Sequence, residues 1–77
     1  MPQPFLIRCG GDLGKALNET RRTYGLTQIQ LAEQLGLDQA YLARLERGHS
    51  VLLLDRVVVA LRMLGADIVV NVPDPVD

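Results

Sequence analysis

The sequence predicts a mainly α-helical fold: one small domain of four short helices, with a β-strand after the last helix and a second short strand before the first. Three observations predict it. Four segments carry apolar residues at three- and four-residue spacing, and each runs into a glycine, at Gly25, Gly36, Gly48 and Gly65. Asp12, Thr27 and Asp38 stand where the first three of those segments need an N-cap. Two apolar runs, residues 5–9 and 67–72, are too short for helices and are bounded by a glycine pair and by proline.

Residues 5–9, Phe-Leu-Ile-Arg-Cys, are expected to form the first strand. Asp12 is expected to cap a helix reaching about Tyr24, with Leu13, Ala16, Leu17, Thr20 and Tyr24 on one face. Thr27 and Gln30 match the capping box, in which each residue satisfies the other's backbone N–H. The second helix then covers residues 28–35, with Ile29 or Gln28 inward at its start, then Leu31, Ala32 and Leu35. Gly36 ends it, Leu37 fills the turn, and Asp38 caps a third helix from Gln39 to about Arg47, with Leu42 and Leu45 inward. Residues 49–53 are expected to be a loop. A fourth helix is expected over about 54–64, buried along Val57, Val58, Leu61 and Leu64. Its consecutive valines, 57 to 59, are poor helix formers. The spacing, Asp55 near the start and Gly65 at the end nonetheless favour helix over strand. Residues 67–72, Asp-Ile-Val-Val-Asn-Val, read as a strand, which Pro73 and Pro75 close, leaving a tail over 73–77.

Seventy-seven residues make a single domain, 1–77, near the lower limit of independent stability, because such a chain buries only about 60% of its unfolded surface. The lone Cys9 allows no internal disulfide and no zinc pair; it reads as a small apolar strand residue in a reducing cytosol. With 48% hydrophobic residues, dimerisation is the remaining way to enlarge the core. Net charge is −1, from 8 basic and 9 acidic side chains, whereas nucleic-acid binders usually carry a basic face. The distribution keeps that reading open. Arg21, Arg22, Arg44 and Arg47 fall within or just before residues 25–48, while Asp67, Asp74 and Asp77 gather at the C-terminal end. No basic segment precedes the N-terminal apolar run, so no secretory leader is expected. No stretch approaches the ~20 apolar residues of a membrane span, and a cytoplasmic protein is expected.

Residues 25–48 carry the functional signal. Two short helices joined at Gly36-Leu37, each opening on a cap and a glutamine, are the layout of a helix-turn-helix reader of DNA. The second helix of such a pair presents its N-terminal side chains to the major groove. With Leu42 and Leu45 inward, Gln39, Ala40, Tyr41 and Arg44 face outward. Glutamine suits bidentate contact with adenine, arginine suits guanine, and Ala40 fits a thymine methyl. Gln28 can donate to a phosphate at the start of the supporting helix, beside its cap Thr27. Tyr41 is placed for a phosphate or the groove wall, and Arg47 and His49 for phosphate.

The run GLTQIQLAEQLG…YLARLERG resembles the Xre/Cro-type helix-turn-helix of phage repressors and bacterial regulators, over roughly residues 13–65. The resemblance implies a lambda-repressor-like four-helix fold. It makes Gln28 the phosphate-binding glutamine, puts the base-reading positions on Gln39, Ala40 and Arg44, and pairs Arg21 with Glu46 as a structural brace. The ends are similar to a narrower group, the HipB-like antitoxins. Where many Xre-type domains continue with a fifth helix, this chain has Leu-Gly and then a strand. That resemblance implies a homodimer joined through Ile68, Val69, Val70 and Val72, a palindromic operator in double-stranded DNA, nucleoid association in a bacterial cytoplasm, and a kinase-type toxin as partner. One departure is the loop before the last helix. The group commonly has Ser-x-Pro-x-Leu there; this chain has Ser50-Val51-Leu52-Leu53-Leu54.

A plain helical bundle would also require Leu31, Ala32, Leu35, Leu42 and Leu45. It would not require Thr27, Gln28, Gln39 and Arg44. Lys15, Glu19, Arg22, Glu33 and Arg62 read as solvated helix faces. No nucleophile–base set, phosphate loop or metal cluster is visible, so neither an enzyme nor a cofactor is expected. The expected function is a sequence-specific homodimeric repressor, an autoregulating antitoxin of a type II toxin–antitoxin pair. The alternatives are a stand-alone or phage-type regulator with no toxin, and a protein-association module that does not bind DNA. In the dimer, residues 67–72 are expected to pair across the two-fold axis, with residues 5–9 joining in cis or across it. Two recognition helices would then lie one DNA turn apart, about 34 Å.

Overall fold

The computed structural model describes residues 3–49 and 51–74. Strand β1 (Gln3–Ile7) leads into α1 (Gly10–Thr23), α2 (Gln28–Leu35), α3 (Gln39–Glu46) and α4 (Leu52–Met63), and β2 (Ile68–Val72) closes the chain. Four helices and a short antiparallel sheet are the expected architecture. Ser50, in the expected loop, and the last three residues of the expected tail lie outside the described residues.

The sheet forms within one chain. β1 pairs antiparallel with β2, from Gln3 opposite Val72 to Ile7 opposite Ile68. Side chains alternate along each strand. Ile68, Val70 and Val72 therefore turn inward with Phe5 and Ile7, while Val69 stays 47% exposed. Three of the four residues assigned to dimerisation are thus part of this chain's own core, because that face of the sheet packs against α1 and α4. Ile7, Ala16 and Val58 form the centre of that core, and Phe5, Leu13, Ile68 and Val70 pack around it. β1 runs earlier than expected and leaves out Arg8 and Cys9. Cys9 instead takes the N-cap position of α1 in extended backbone and offers no side-chain cap.

α1 starts two residues before Asp12, which is therefore not its cap. The cap comes from another helix: the Gly10 N–H donates to Asp55 Oδ1 of α4 at 2.9 Å. Asp12 sits in the first turn, where a negative charge suits the helix dipole, and accepts the Arg8 N–H at 2.8 Å. Two glycines bring α1 against the end of α3. A Cβ on Gly14 would overlap the Leu45 carbonyl, and one on Gly11 would meet the Gly48 carbonyl oxygen at 2.6 Å. Tyr24, expected inward, lies at the C-cap and is 52% exposed.

α2 and α3 follow the expected bounds, except that Arg47 is the C-cap of α3 rather than its last residue. Ile29 and Leu35 of α2, both offered as inward, are 53% and 54% exposed, and Gln28 takes the half-buried place at the start of the helix, whereas Ala32 and Leu42 are buried. α4 departs most. It begins at Leu52, taking in two residues expected in the loop. Of its four expected core residues only Val58 is buried; Val57 is 48%, Leu61 37% and Leu64 84% exposed. The helix meets α1 and β2 along a narrow face centred on Val58, and no other part of the described chain covers its flanks.

Candidate nucleic-acid interface

Local chemistry builds the α2–α3 pair. At the start of α2 the capping box is complete: the Gln30 N–H donates to Thr27 Oγ1 at 3.1 Å, and the Thr27 N–H donates to Gln30 Oε1 at 2.9 Å. Gly36 ends the helix in left-handed backbone, φ 69°, which glycine adopts without steric cost. The Leu37 N–H then returns to the Ala32 carbonyl at 2.9 Å, and Asp38 Oδ1 accepts the Ala40 N–H at 2.7 Å. The turn is closed by hydrogen bonds on both sides, so the angle between the helices is set by backbone and caps.

The pair is tied to α1 through one carboxylate. Glu46, at the last turn of α3, is 6% exposed. Arg21 of α1 donates to it twice, Nε to Oε2 at 2.8 Å and Nη2 to Oε1 at 2.9 Å. Asn18 Nδ2 donates to Oε1 at 2.7 Å, and Gln28 Nε2 of α2 donates to the same oxygen at 3.2 Å. Burial by itself raises the Glu46 pKa. The hydrogen bonds from Arg21, Asn18 and Gln28, with the Arg21 charge, outweigh burial and hold it below the ordinary glutamate value. Arg21 Nη1 also donates to the Leu26 carbonyl at 2.6 Å, which fixes the chain between α1 and α2. The expected Arg21–Glu46 brace is present, and it joins three helices rather than two.

The outer face of α3 is open. Gln39, Ala40, Tyr41, Arg44 and Arg47 are all exposed, opposite the fully buried Leu42. The Arg44 guanidinium lies 5.9 Å from the centre of the Tyr41 ring, a cation–π distance that restrains both side chains on that face. Tyr41 also forms one wall of a cleft of about 270 Å³, lined further by Leu13, Leu17, Leu45, His49 and Leu54. Thr27 and His49 are exposed at the two ends of the pair. Gln28 is half-buried: one N–H of its amide goes to Glu46, and a primary amide has a second to give.

Asn18, Asp55, Gly11 and Gly14 are the structural residues that sequence reasoning missed. Asn18 lies three residues before Arg21 and so shares its helix face, a readable signal. Gly14, inside the expected helix, costs about 1 kcal/mol relative to alanine, which signals a close approach, whereas Gly11 precedes the expected cap Asp12. Asp55 marks the start of α4 in the sequence, but its role as the cap of α1 has no local signal, because its partner lies 45 residues away.

A helix-turn-helix family model matches residues 17–70, from the middle of α1 into β2. No curated protein and no solved structure matches the chain. The matched span contains the capped α2, the closed turn, the exposed face of α3 and the Arg21–Glu46 brace; the chain belongs to the Xre-type helix-turn-helix family of DNA-binding regulators.

Proposed function

We propose that the chain is a sequence-specific transcriptional repressor that binds operator DNA as a homodimer in the cytoplasm, associated with the nucleoid. The observation that carries this reading is the outer face of α3, where Gln39, Ala40 and Arg44 are exposed behind a turn locked on both sides. A bundle needs no such face. In this reading Arg44 and Gln39 take base edges and Ala40 a thymine methyl. Thr27, Gln28, Tyr41, Arg47 and His49 take the phosphates and the groove wall. Gln28 is pre-oriented, because the carboxylate of Glu46 accepts one amide N–H and leaves the other for phosphate.

The test is a binding titration against a selected operator and its single-base variants. Arg44→Ala is expected to cost about 1–3 kcal/mol and to relax one operator position. Gln28→Ala is expected to weaken every sequence about equally. If both variants bind like the unmodified chain, the recognition face is elsewhere.

Within that function we assign the chain to the antitoxins of type II toxin–antitoxin pairs, with a kinase-type toxin as second partner. The support is β2, which stands after α4 where many members of this family continue with another helix. Co-purification with the product of the adjoining gene decides between this and a stand-alone regulator: a kinase-like partner upholds the assignment, and a neighbour that never associates removes it.

A further inference from the structure

We propose that the apolar flank of α4 formed by Leu53, Val57, Ala60, Leu61 and Leu64 is the face on which a second copy of this chain packs its own α4. This rests on the homodimer reading and names the surface that makes the dimer. At 100° per residue, Leu53, Val57, Ala60 and Leu64 recur at four, three and four residues along one flank, beside the inward Val58. That is the spacing of helix–helix seams. All of these residues are exposed, Leu53 at 74% and Leu64 at 84%. The charged residues of the helix, Asp55, Arg56 and Arg62, fall outside the stripe. Ala60, in its middle, is small enough to let another helix come close.

Three observations favour a second copy over a partner of different chemistry. The stripe offers no charge to recognise an acidic or basic surface, and a uniform 4-3-4 stripe is complementary to itself about a two-fold axis. The molecule is also too open for its length. Its radius of gyration is 13.3 Å, and its extents are 37 × 31 × 16 Å. A compact chain of this size has a radius of about 11.5 Å. A layer 16 Å thick is little more than one helix deep. Finally, the strand edge is too small an interface alone. Pro4 has no N–H to give, which suits β1 to an outer edge. That leaves the edge of β2, five residues and about 17 Å long. A stable dimer buries about 800 Å² on each partner. α4, which touches β2, adds a helix about 18 Å long with one apolar flank.

The experiment is sedimentation of the full chain at micromolar concentration, with helix content followed by circular dichroism. The unmodified chain is expected to run as two copies. Val57→Glu and Leu64→Glu are expected to weaken dimerisation at least about tenfold while keeping their helix content. Met63→Glu lies on the opposite flank at a site that is 83% exposed, and is expected to dimerise like the unmodified chain. If the glutamate variants lose helix, the isosteric Val57→Thr takes their place, and it is expected to weaken dimerisation several-fold. A dimeric unmodified chain whose stripe variants dimerise equally well overturns this inference and leaves the homodimer reading standing. The same holds if Met63→Glu dissociates in their place. A monomeric unmodified chain overturns both.

Discussion

Glu46 is where single atoms matter most. Its Oε1 accepts from α1 twice and from α2 once, while its own backbone belongs to α3. Glu46→Ala would leave the Arg21 guanidinium, whose side chain is 11% exposed, without its carboxylate. Removing one partner of a buried pair costs about 3–5 kcal/mol, and urea unfolding measures it. The pH dependence follows from the direction of the Glu46 shift. A carboxyl whose pKa is lower in the folded chain adds stability that is complete above its unfolded value, about 4.3. That stability is lost as pH falls from there through the lower, folded value. Thermal melts taken through that acid range are expected to fall more steeply for the unmodified chain than for Glu46→Gln, which has no carboxyl to titrate at that position.

Among the elements, α2 and α3 were legible almost to the residue because their punctuation is local. Thr27, Gln30, Gly36 and Asp38 each act within a few residues of themselves. The start of α1 was misread because its cap, Asp55, arrives from a distant helix. The face of α4 was misread for another reason. Periodicity says which residues are apolar and on which side, and it says nothing about whether anything covers them. The exposed face of α3 was legible because Leu42 fixes what must point away from the core, whereas the orientation of Gln28 by Glu46 required three helices in place. The glycines of α1 allow a test whose sign is informative. In an open helix Gly→Ala adds about 1 kcal/mol of stability. Gly14→Ala is expected to destabilise instead, by about 1–3 kcal/mol, because the new methyl overlaps the Leu45 carbonyl. Denaturant midpoints and operator affinity are expected to fall together.

For the whole molecule, the decisive fact is that β2 belongs to the core of its own chain before it can serve another. Val72 is 8% exposed, and Ile68 and Val70 pack against the cluster of Ile7, Ala16 and Val58. A chain cut after Gly65 is therefore expected to lose helix content and cooperative melting, not to persist as a folded monomer. Circular dichroism distinguishes the two outcomes. Dimerisation is better probed on exposed side chains than by removing the strand. The balance of charge has a consequence at this scale as well. With a net charge of −1, long-range attraction to DNA is weak, and in the proposed complex the exposed Arg44 and Arg47 act at short range. Operator affinity is expected to fall with added salt along a slope set by the few phosphates neutralised, about 0.9 per contact.

The bare contact between α1 and the end of α3 has a mechanical meaning. Backbone meets backbone at Gly11 and Gly14, with no side chain between to bend or change rotamer. α1 and the last turn of α3 therefore move as one rigid lever. Asp55 of α4 holds the same end of that lever, through the Gly10 N–H beside Gly11. The N-terminus of α1 thus joins α4, through Asp55, to the end of the helix that carries Gln39 and Arg44.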